Sequence, residues 1–146
     1  MILGSTGSIG RNAIDVIRRL PGFSVAGLAA GRDAASLERQ ARALKPRFVA
    51  LHDRAAATAL RRALAGLRIE VLEGPEGVAE AAERPEGDIV VSAMVGSAGL
   101  APTWAAVKAG KRVALANKET LVVGGDLITR EAARTGASLI PVDSEH

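Results

Sequence analysis

Short apolar runs alternate along the chain with stretches in which apolar residues recur at the spacing of one helix face. The predicted strands cover residues 2–3, 23–28, 48–51, 69–72, 88–91, 112–115 and 138–140. The predicted helices cover about residues 9–20, 34–44, 54–64, 75–82, 100–109 and 127–135. Strands that alternate with helices of about ten residues favour parallel pairing, with helices on both faces of the sheet. The predicted fold class is therefore α/β, with a doubly wound, mostly parallel sheet.

The composition is that of an ordinary globular domain. The chain has 146 residues, of which 48% are hydrophobic, and this is enough for a core and rules out intrinsic disorder. No apolar stretch approaches the roughly 18 residues of a membrane span. The absence of cysteine excludes disulfides, thiolate zinc sites and cysteine catalysis. The first residues lack a basic segment followed by an apolar one, so we expect no signal peptide and a cytoplasmic protein.

The charge pattern gives little reason to expect a nucleic acid or a membrane as partner. Lys and Arg number 19 against 16 Asp and Glu, and the two signs are interspersed along the chain. Aromatic residues make up 2% of the chain, too few for stacking on bases. The basic excess indicates a solvated surface, which also suits a small anionic ligand.

A glycine-rich turn, residues 4–10, joins the first predicted strand to the first helix. Its sequence is Gly-Ser-Thr-Gly-Ser-Ile-Gly, with glycine at Gly4, Gly7 and Gly10. Glycine permits a tight turn and lets the backbone approach a phosphate, which the amides and dipole of the following helix would bind. Gly10 would let the helix pack close to the sheet. In this strand–turn–helix context the motif predicts a Rossmann-like dinucleotide site, and a turn without a ligand is the alternative.

The end of the second strand is where the adenosine ribose of a dinucleotide is expected. The chain reads Gly31-Arg32-Asp33 there. The guanidinium of Arg32 matches a 2′-phosphate, whereas the carboxylate of Asp33 prefers a free 2′-hydroxyl. We favour NADPH over NADH, in part because of the resemblance described below.

Asn117-Lys118-Glu119 follows a predicted buried strand, at the sheet edge where open α/β sheets bind ligands. The lysine offers a compact charge for a phosphate or hydroxyl, and the other two side chains could fix a sugar or an amide. Alternatively the segment begins a helix, with Asn117 as N-cap and Glu119 in the first turn. The residues alone do not decide between the two.

Asp143 and Glu145 follow the last predicted strand. In an extended segment residues two apart point to the same side, so the two carboxylates would form half a site for Mg²⁺ or Mn²⁺. For the pattern alone, a solvated chain end is the better interpretation.

Three motifs together resemble the 1-deoxy-D-xylulose 5-phosphate reductoisomerase family. They are residues 4–10, the run Ala-Asn-Lys-Glu-Thr-Leu-Val at 116–122 and Pro-Val-Asp-Ser-Glu-His at 141–146, and residues 95–100 are similar too. The resemblance implies a pyrophosphate site at Thr6, Gly7, Ser8 and Ile9, and an adenosine site at Gly31, Arg32 and Asp33. It implies cofactor contacts for Asn117 and Glu119, substrate contacts for Lys118, Ser144 and Glu145, and two of three metal ligands at Asp143 and Glu145. The family usually has Asn at the position of Asp33.

The resemblance also implies an activity. Members of the family convert 1-deoxy-D-xylulose 5-phosphate to 2-C-methyl-D-erythritol 4-phosphate in non-mevalonate isoprenoid biosynthesis, as homodimers that use NADPH and a divalent metal. Both ends of the sequence look cut, so we expect a dinucleotide-binding domain at 1–141 and the start of an otherwise absent catalytic domain at 142–146. The family's third carboxylate and its phosphate-binding residues belong to later sequence. We therefore expect the chain by itself to bind cofactor without turnover.

Two alternatives stay open at this point. One is the nucleotide-binding domain of another two-domain oxidoreductase, of the semialdehyde dehydrogenase or dihydrodipicolinate reductase type. The other is a non-catalytic nucleotide-binding or dimerisation module, in which Lys118, Asp143 and Glu145 would have no catalytic role.

Overall fold

Seven parallel strands form one sheet in the computed structural model, which describes residues 1–142. The order across the sheet is β4-β3-β2-β1-β5-β6-β7. The strands are β1 (Ile2–Leu3), β2 (Gly27–Ala30), β3 (Phe48–Leu51), β4 (Glu70–Glu73), β5 (Ile89–Ser92), β6 (Arg112–Leu115) and β7 (Ser138–Pro141). All the pairings between these strands are parallel, as the alternating pattern predicts.

Six α-helices connect the strands. They are α1 (Ser8–Arg19), α2 (Ala34–Leu44), α3 (Arg54–Ala63), α4 (Gly74–Glu83), α5 (Leu100–Lys108) and α6 (Lys118–Thr135), and a 3₁₀ turn at Gly96–Gly99 precedes α5. Within residues 1–142 no helix combines the length and the apolar character that crossing a membrane requires.

The direction in which the chain crosses the sheet reverses once. The chain moves outward from β1 to β4 and then returns to place β5 beside β1. Two separate cores result, one containing Ile14 of α1, Leu37 of α2 and Leu60 of α3. The other contains Val78 of α4 and Ile128 of α6. The doubly wound sheet with helices on both faces is therefore confirmed, and its switch point lies between β1 and β5.

Two predicted boundaries are wrong. The second strand begins at Gly27 and not at Phe23, whose side chain is 55% exposed, because the apolar residues before Gly27 lie outside the sheet. The last helix begins at Lys118 and not near Leu127. Two β-branched residues and two glycines at positions 122–125 weaken the helical pattern there, but the N-cap at Asn117 and the packing of Gly124 against Leu100 keep the segment helical.

Candidate functional site

The motifs found in the sequence begin at one edge of the sheet. Across four adjacent strands the register places Ala29, Leu3, Ser92 and Leu115 side by side. The glycine-rich turn, the Gly31–Asp33 segment and the Asn117–Glu119 segment all leave their strands just beyond this line. They therefore flank the switch point from both sides, where open α/β sheets bind ligands.

The glycine-rich turn packs backbone against backbone. Gly4 has φ +81°, and a Cβ there would lie 2.5 Å from the carbonyl oxygen of Ala93, in the loop after β5. A Cβ on Gly10 would collide with the carbonyl oxygen of Gly4 and lie 2.6 Å from the Cα of Ser5. Gly10 therefore lets α1 pack against the backbone of the glycine-rich turn. The sequence predicts instead that Gly10 packs the helix close to the sheet.

Hydrogen bonds engage the carbonyl oxygens of Gly4, Ser5 and Thr6 in this segment. The N–H groups of Gly4 and Ser5 both donate to the carbonyl oxygen of Ala29, and Gly7 N–H donates to Gly4 O at 3.1 Å. The guanidinium of Arg11 donates to the carbonyl oxygen of Thr6 at 2.8 Å. Since N–H groups in the first turn of a helix have no partners within the helix, this bare end suits an anion.

The N-cap of α1 is Gly7, and within residues 1–142 no side chain caps this helix. Ser8 and Ile9, in its first turn, are exposed. The first turn also contains no acidic residue, so the positive end of the helix dipole is not neutralised locally.

Arg32 and Asp33 are both exposed at the end of β2. Asp33 is the N-cap of α2, and its Oδ1 accepts a hydrogen bond from Ser36 N–H at 3.0 Å. The hydrogen bonds from Ser36 lower the pKa of the Asp33 carboxyl, and the nearby charges of Arg39 and Arg11 lower it further. The Asp33 carboxylate thus has a structural task in starting α2 and lies among guanidinium groups that offset its charge.

Asn117 is buried and engaged at both ends of its amide. Its Oδ1 accepts from Thr120 N–H at 3.2 Å, which caps α6, and its Nδ2 donates to the carbonyl oxygens of Met94 at 2.5 Å and Gly96 at 3.2 Å. The helix start considered from the sequence is therefore found, and the ligand contacts of this segment stay a prediction. Lys118 and Glu119 are exposed in the first turn of α6.

Two polar contacts near the site have no signal in the sequence. Ser92 and Thr103 share a buried hydrogen bond of 2.7 Å, and Thr103 also donates to Gly99 O. Gln40 of α2 donates from Nε2 to Ser5 O at 2.8 Å, across 35 residues of sequence. Ser92 and Thr103 are 11 residues apart and Gln40 and Ser5 are 35 apart, so each contact depends on how separate elements pack.

The predicted acidic residues Asp143 and Glu145, and Ser144 between them, lie outside the described residues. Within residues 1–142 no group of three or more His, Asp or Glu could hold a metal ion. The metal site stays a prediction from the motif.

Comparisons with known proteins agree on one family. Residues 1–125 match the sequence model described as 1-deoxy-D-xylulose 5-phosphate reductoisomerase. Reductoisomerases of that name from Thermodesulfovibrio yellowstonii and Chlorobium limicola are each 49% identical to the chain, over 100% and 99% of its length. The chain spans 38% of the length of each of these two relatives.

Solved structures give the same result. The reductoisomerase from Zymomonas mobilis in complex with NADPH superimposes with a TM-score of 0.93 at 40% identity, over 99% of this chain and 38% of that one. A DOX-P reductoisomerase in complex with NADPH, fosmidomycin and magnesium superimposes with a TM-score of 0.94 at 40% identity, over 99% of this chain and 36% of that one. These matches decide against the other oxidoreductase families considered from the sequence. The chain belongs to the 1-deoxy-D-xylulose 5-phosphate reductoisomerase family.

Proposed function

We propose that this chain is the NADPH-binding domain of an enzyme that isomerises and reduces 1-deoxy-D-xylulose 5-phosphate to 2-C-methyl-D-erythritol 4-phosphate, with the help of a divalent metal. The observation that carries the proposal is the glycine-rich turn at the switch point. Added Cβ atoms at Gly4 and Gly10 would collide with backbone, and the bare start of α1 faces outward. The related structures solved with NADPH support the choice of cofactor.

The described residues fit such a dinucleotide. Thr6, Gly7, Ser8 and Ile9 would hold its diphosphate through backbone amides, because phosphate binds the positive end of a helix. Gly31, Arg32 and Asp33 would surround the adenosine ribose, with the Arg32 guanidinium on the 2′-phosphate. Because both ends of its amide are engaged, Asn117 would contact the cofactor by its backbone and shape the site through its side chain.

The chemistry is divided between cofactor, metal and protein. NADPH, when bound, supplies a hydride for a carbonyl. The chain's part is to fix the position of the cofactor beside the substrate and to exclude water. The exposed ammonium of Lys118 would bind the phosphorylated sugar, and Glu119 would contact the cofactor.

The residues beyond Val142 complete the proposal. Asp143 and Glu145 would be two carboxylate ligands of Mg²⁺ or Mn²⁺, and Ser144 and Glu145 would contact the substrate. Two carboxylates alone would hold such a cation weakly, because hard cations take about six oxygen ligands. The 146-residue chain should therefore bind NADPH and leave it unoxidised. A homodimer in the cytoplasm is the expected form of the whole protein.

Two measurements on the 146-residue chain test this proposal. Calorimetric titration should give saturable binding of NADPH, with NADH bound more weakly. Addition of 1-deoxy-D-xylulose 5-phosphate and Mn²⁺ should then leave the absorbance of NADPH unchanged. A folded chain that shows neither heat nor a change in melting temperature at saturating NADPH would contradict the cofactor assignment.

The enzymatic part needs a polypeptide of the relatives' length that contains this sequence. It should oxidise NADPH when given 1-deoxy-D-xylulose 5-phosphate and Mn²⁺, and alanine at Lys118, Asp143 or Glu145 should abolish this. Unchanged oxidation in all three variants would favour the reading of residues 1–141 as a non-catalytic module.

A further inference from the structure

Gln40 connects the two halves of the proposed dinucleotide site. It lies in α2, the helix that begins at Asp33, next to the residues expected at the adenosine end. Its Nε2 donates to the carbonyl oxygen of Ser5, inside the glycine-rich turn, at 2.8 Å. The contact is partly buried, so water competes with it less than at an exposed site.

The contact fixes the orientation of one peptide plane. Ser5 N–H donates to Ala29 O, and Ser5 O accepts from Gln40, so both sides of this residue are held by neighbouring elements. A trans peptide is planar, and its C=O and the following N–H point in opposite directions. When Gln40 holds Ser5 O toward α2, the N–H of Thr6 must point away from α2. A rotated plane would instead present a carbonyl oxygen, which repels phosphate.

The side-chain amide of Gln40 makes little net contribution to the stability of the fold. Within residues 1–142, Gln40 Oε1 is buried without a hydrogen-bond partner, as is Ser5 Oγ. A buried polar atom without a partner destabilises the fold, and this offsets what the hydrogen bond from Nε2 contributes. An apolar side chain of similar size would remove the unpartnered Oε1, but it would also leave Ser5 O without its donor.

We propose that Gln40 is a positioning residue for the dinucleotide: it sets the Ser5–Thr6 peptide so that Thr6 N–H faces the diphosphate. The proposal rests on the proposed function. Gln40 acts through the turn and need not touch the ligand. Its effect should therefore appear for ligands that carry a diphosphate, and be absent for a ligand that occupies the adenosine end alone.

The test compares two ligands on the 146-residue chain. NADP⁺ is the acid-stable form of the cofactor, and adenosine 2′-monophosphate lacks the diphosphate. In Gln40→Met, of similar volume and good helix propensity, NADP⁺ should bind about fivefold to tenfold more weakly. Adenosine 2′-monophosphate should bind as in the wild type, and the variant should keep a cooperative thermal transition. Glu38→Gln is the matched control on the same helix, since Glu38 pairs with Arg42 at the surface, and it should change neither affinity.

A second variant keeps the shape and changes the donor. In Gln40→Glu at pH 8 a carboxylate oxygen would face Ser5 O, and NADP⁺ should bind more than about tenfold more weakly than to the wild type. Partial burial raises the pKa of an introduced carboxyl, and the protonated form can donate to Ser5 O. At pH 5 the affinity should return to within about threefold of the wild type measured at the same pH.

The outcomes separate the two proposals. If the folded wild type binds neither ligand, the proposed function is wrong. If the wild type binds both, the role of Gln40 is overturned by a Gln40→Met variant that keeps full affinity for NADP⁺. It is also overturned by equal losses for the two ligands, or by a Gln40→Glu variant that is as weak at pH 5 as at pH 8.

Discussion

Two helices begin at the same edge of the sheet, on opposite sides of the switch point, and their N-termini differ. α1 has Gly7 as its N-cap, which offers no side chain to the helix, and it follows a turn whose carbonyls already accept hydrogen bonds. α6 starts at Asn117, whose buried side chain caps the helix and also holds the loop after β5. The first end has no side-chain cap, while the second has an internal acceptor and presents exposed side chains. Under the proposed function, the first end would bind the cofactor through its backbone and the second would contact the substrate through a side chain.

The largest effect should come from adding a methyl group at Gly10. In Gly10→Ala the Cβ would meet the backbone of Gly4 and Ser5, which cannot move without displacing β1. We expect a loss of about 3 kcal/mol in the free energy of unfolding, measured by urea denaturation, and loss of NADPH binding.

The matched control is Gly125→Ala, because Gly125 lies inside α6 with no neighbouring atom within 4 Å of an added Cβ. The helix propensity of alanine should make this variant more stable by about 0.5–1 kcal/mol. Equal behaviour of the two variants would mean that the turn does not need glycine at position 10.

The next effect concerns the capped helix. Asn117→Ala removes the cap of α6 and the bonds to Met94 O and Gly96 O, so the free energy of unfolding should fall by about 2–3 kcal/mol. Asp53→Ala removes an exposed cap of α3 and should cost about 1 kcal/mol. Chemical denaturation of both variants measures the difference. Equal losses would show that the hydrogen bonds from Asn117 to Met94 O and Gly96 O contribute nothing to stability.

A smaller effect is expected at the adenosine end. Arg32→Ala should weaken NADPH binding by roughly fivefold to tenfold and leave NADH binding almost unchanged, because only NADPH carries the 2′-phosphate. Asp33→Asn keeps an oxygen that can cap α2 and removes a negative charge, so NADPH should bind about twofold to threefold more tightly. Parallel calorimetric titrations with the two nucleotides give the ratios. A ratio of NADPH to NADH affinity that neither substitution changes would place the 2′-phosphate elsewhere.

The smallest effect is on the pH dependence of stability. The pKa of Asp33 is lower in the folded chain than its ordinary value of 3.8, because the hydrogen bonds from Ser36 favour the carboxylate. The stabilisation from this cap is therefore complete above pH 3.8 and is lost as the pH falls through the folded pKa. An NMR titration of the side-chain carboxyl should show the lowered pKa, and Ser36→Pro, which lacks the donating N–H, should raise it. An ordinary pKa in the native chain would contradict the capping role.

The sequence predicts the order of the elements because each strand and helix has its own local pattern. The parallel sheet, its two covered faces and the glycine-rich turn follow from that pattern together with the rules of βαβ connection. The sequence offers Asn117 as a possible N-cap but does not decide where α6 begins, because two β-branched residues and two glycines at positions 122–125 interrupt the helical pattern. The continuity of α6 depends on Asn117, whose partners lie 21 and 23 residues away.

The candidate site likewise contains features that a local sequence pattern encodes and features that depend on contacts between elements. The glycine-rich turn, which we propose binds phosphate, lies within seven consecutive residues and can be recognised from sequence. The contacts of Gln40 and of the Ser92–Thr103 pair depend on which elements the fold brings together, and glutamine, serine and threonine are common in many contexts. Asp33 lies between these cases, because a carboxylate at that position predicts both a ribose contact and a helix cap, and the structure shows the cap.

The most direct measurement follows the backbone amides of the 15.0 kDa chain by NMR while NADPH is added. The account predicts that the amide resonances of residues 6–10 shift most strongly and saturate together, and that the amide of Thr120, which donates to the Asn117 cap, shifts little. Saturable binding that leaves residues 6–10 unshifted would contradict the claim that the bare start of α1 holds the diphosphate.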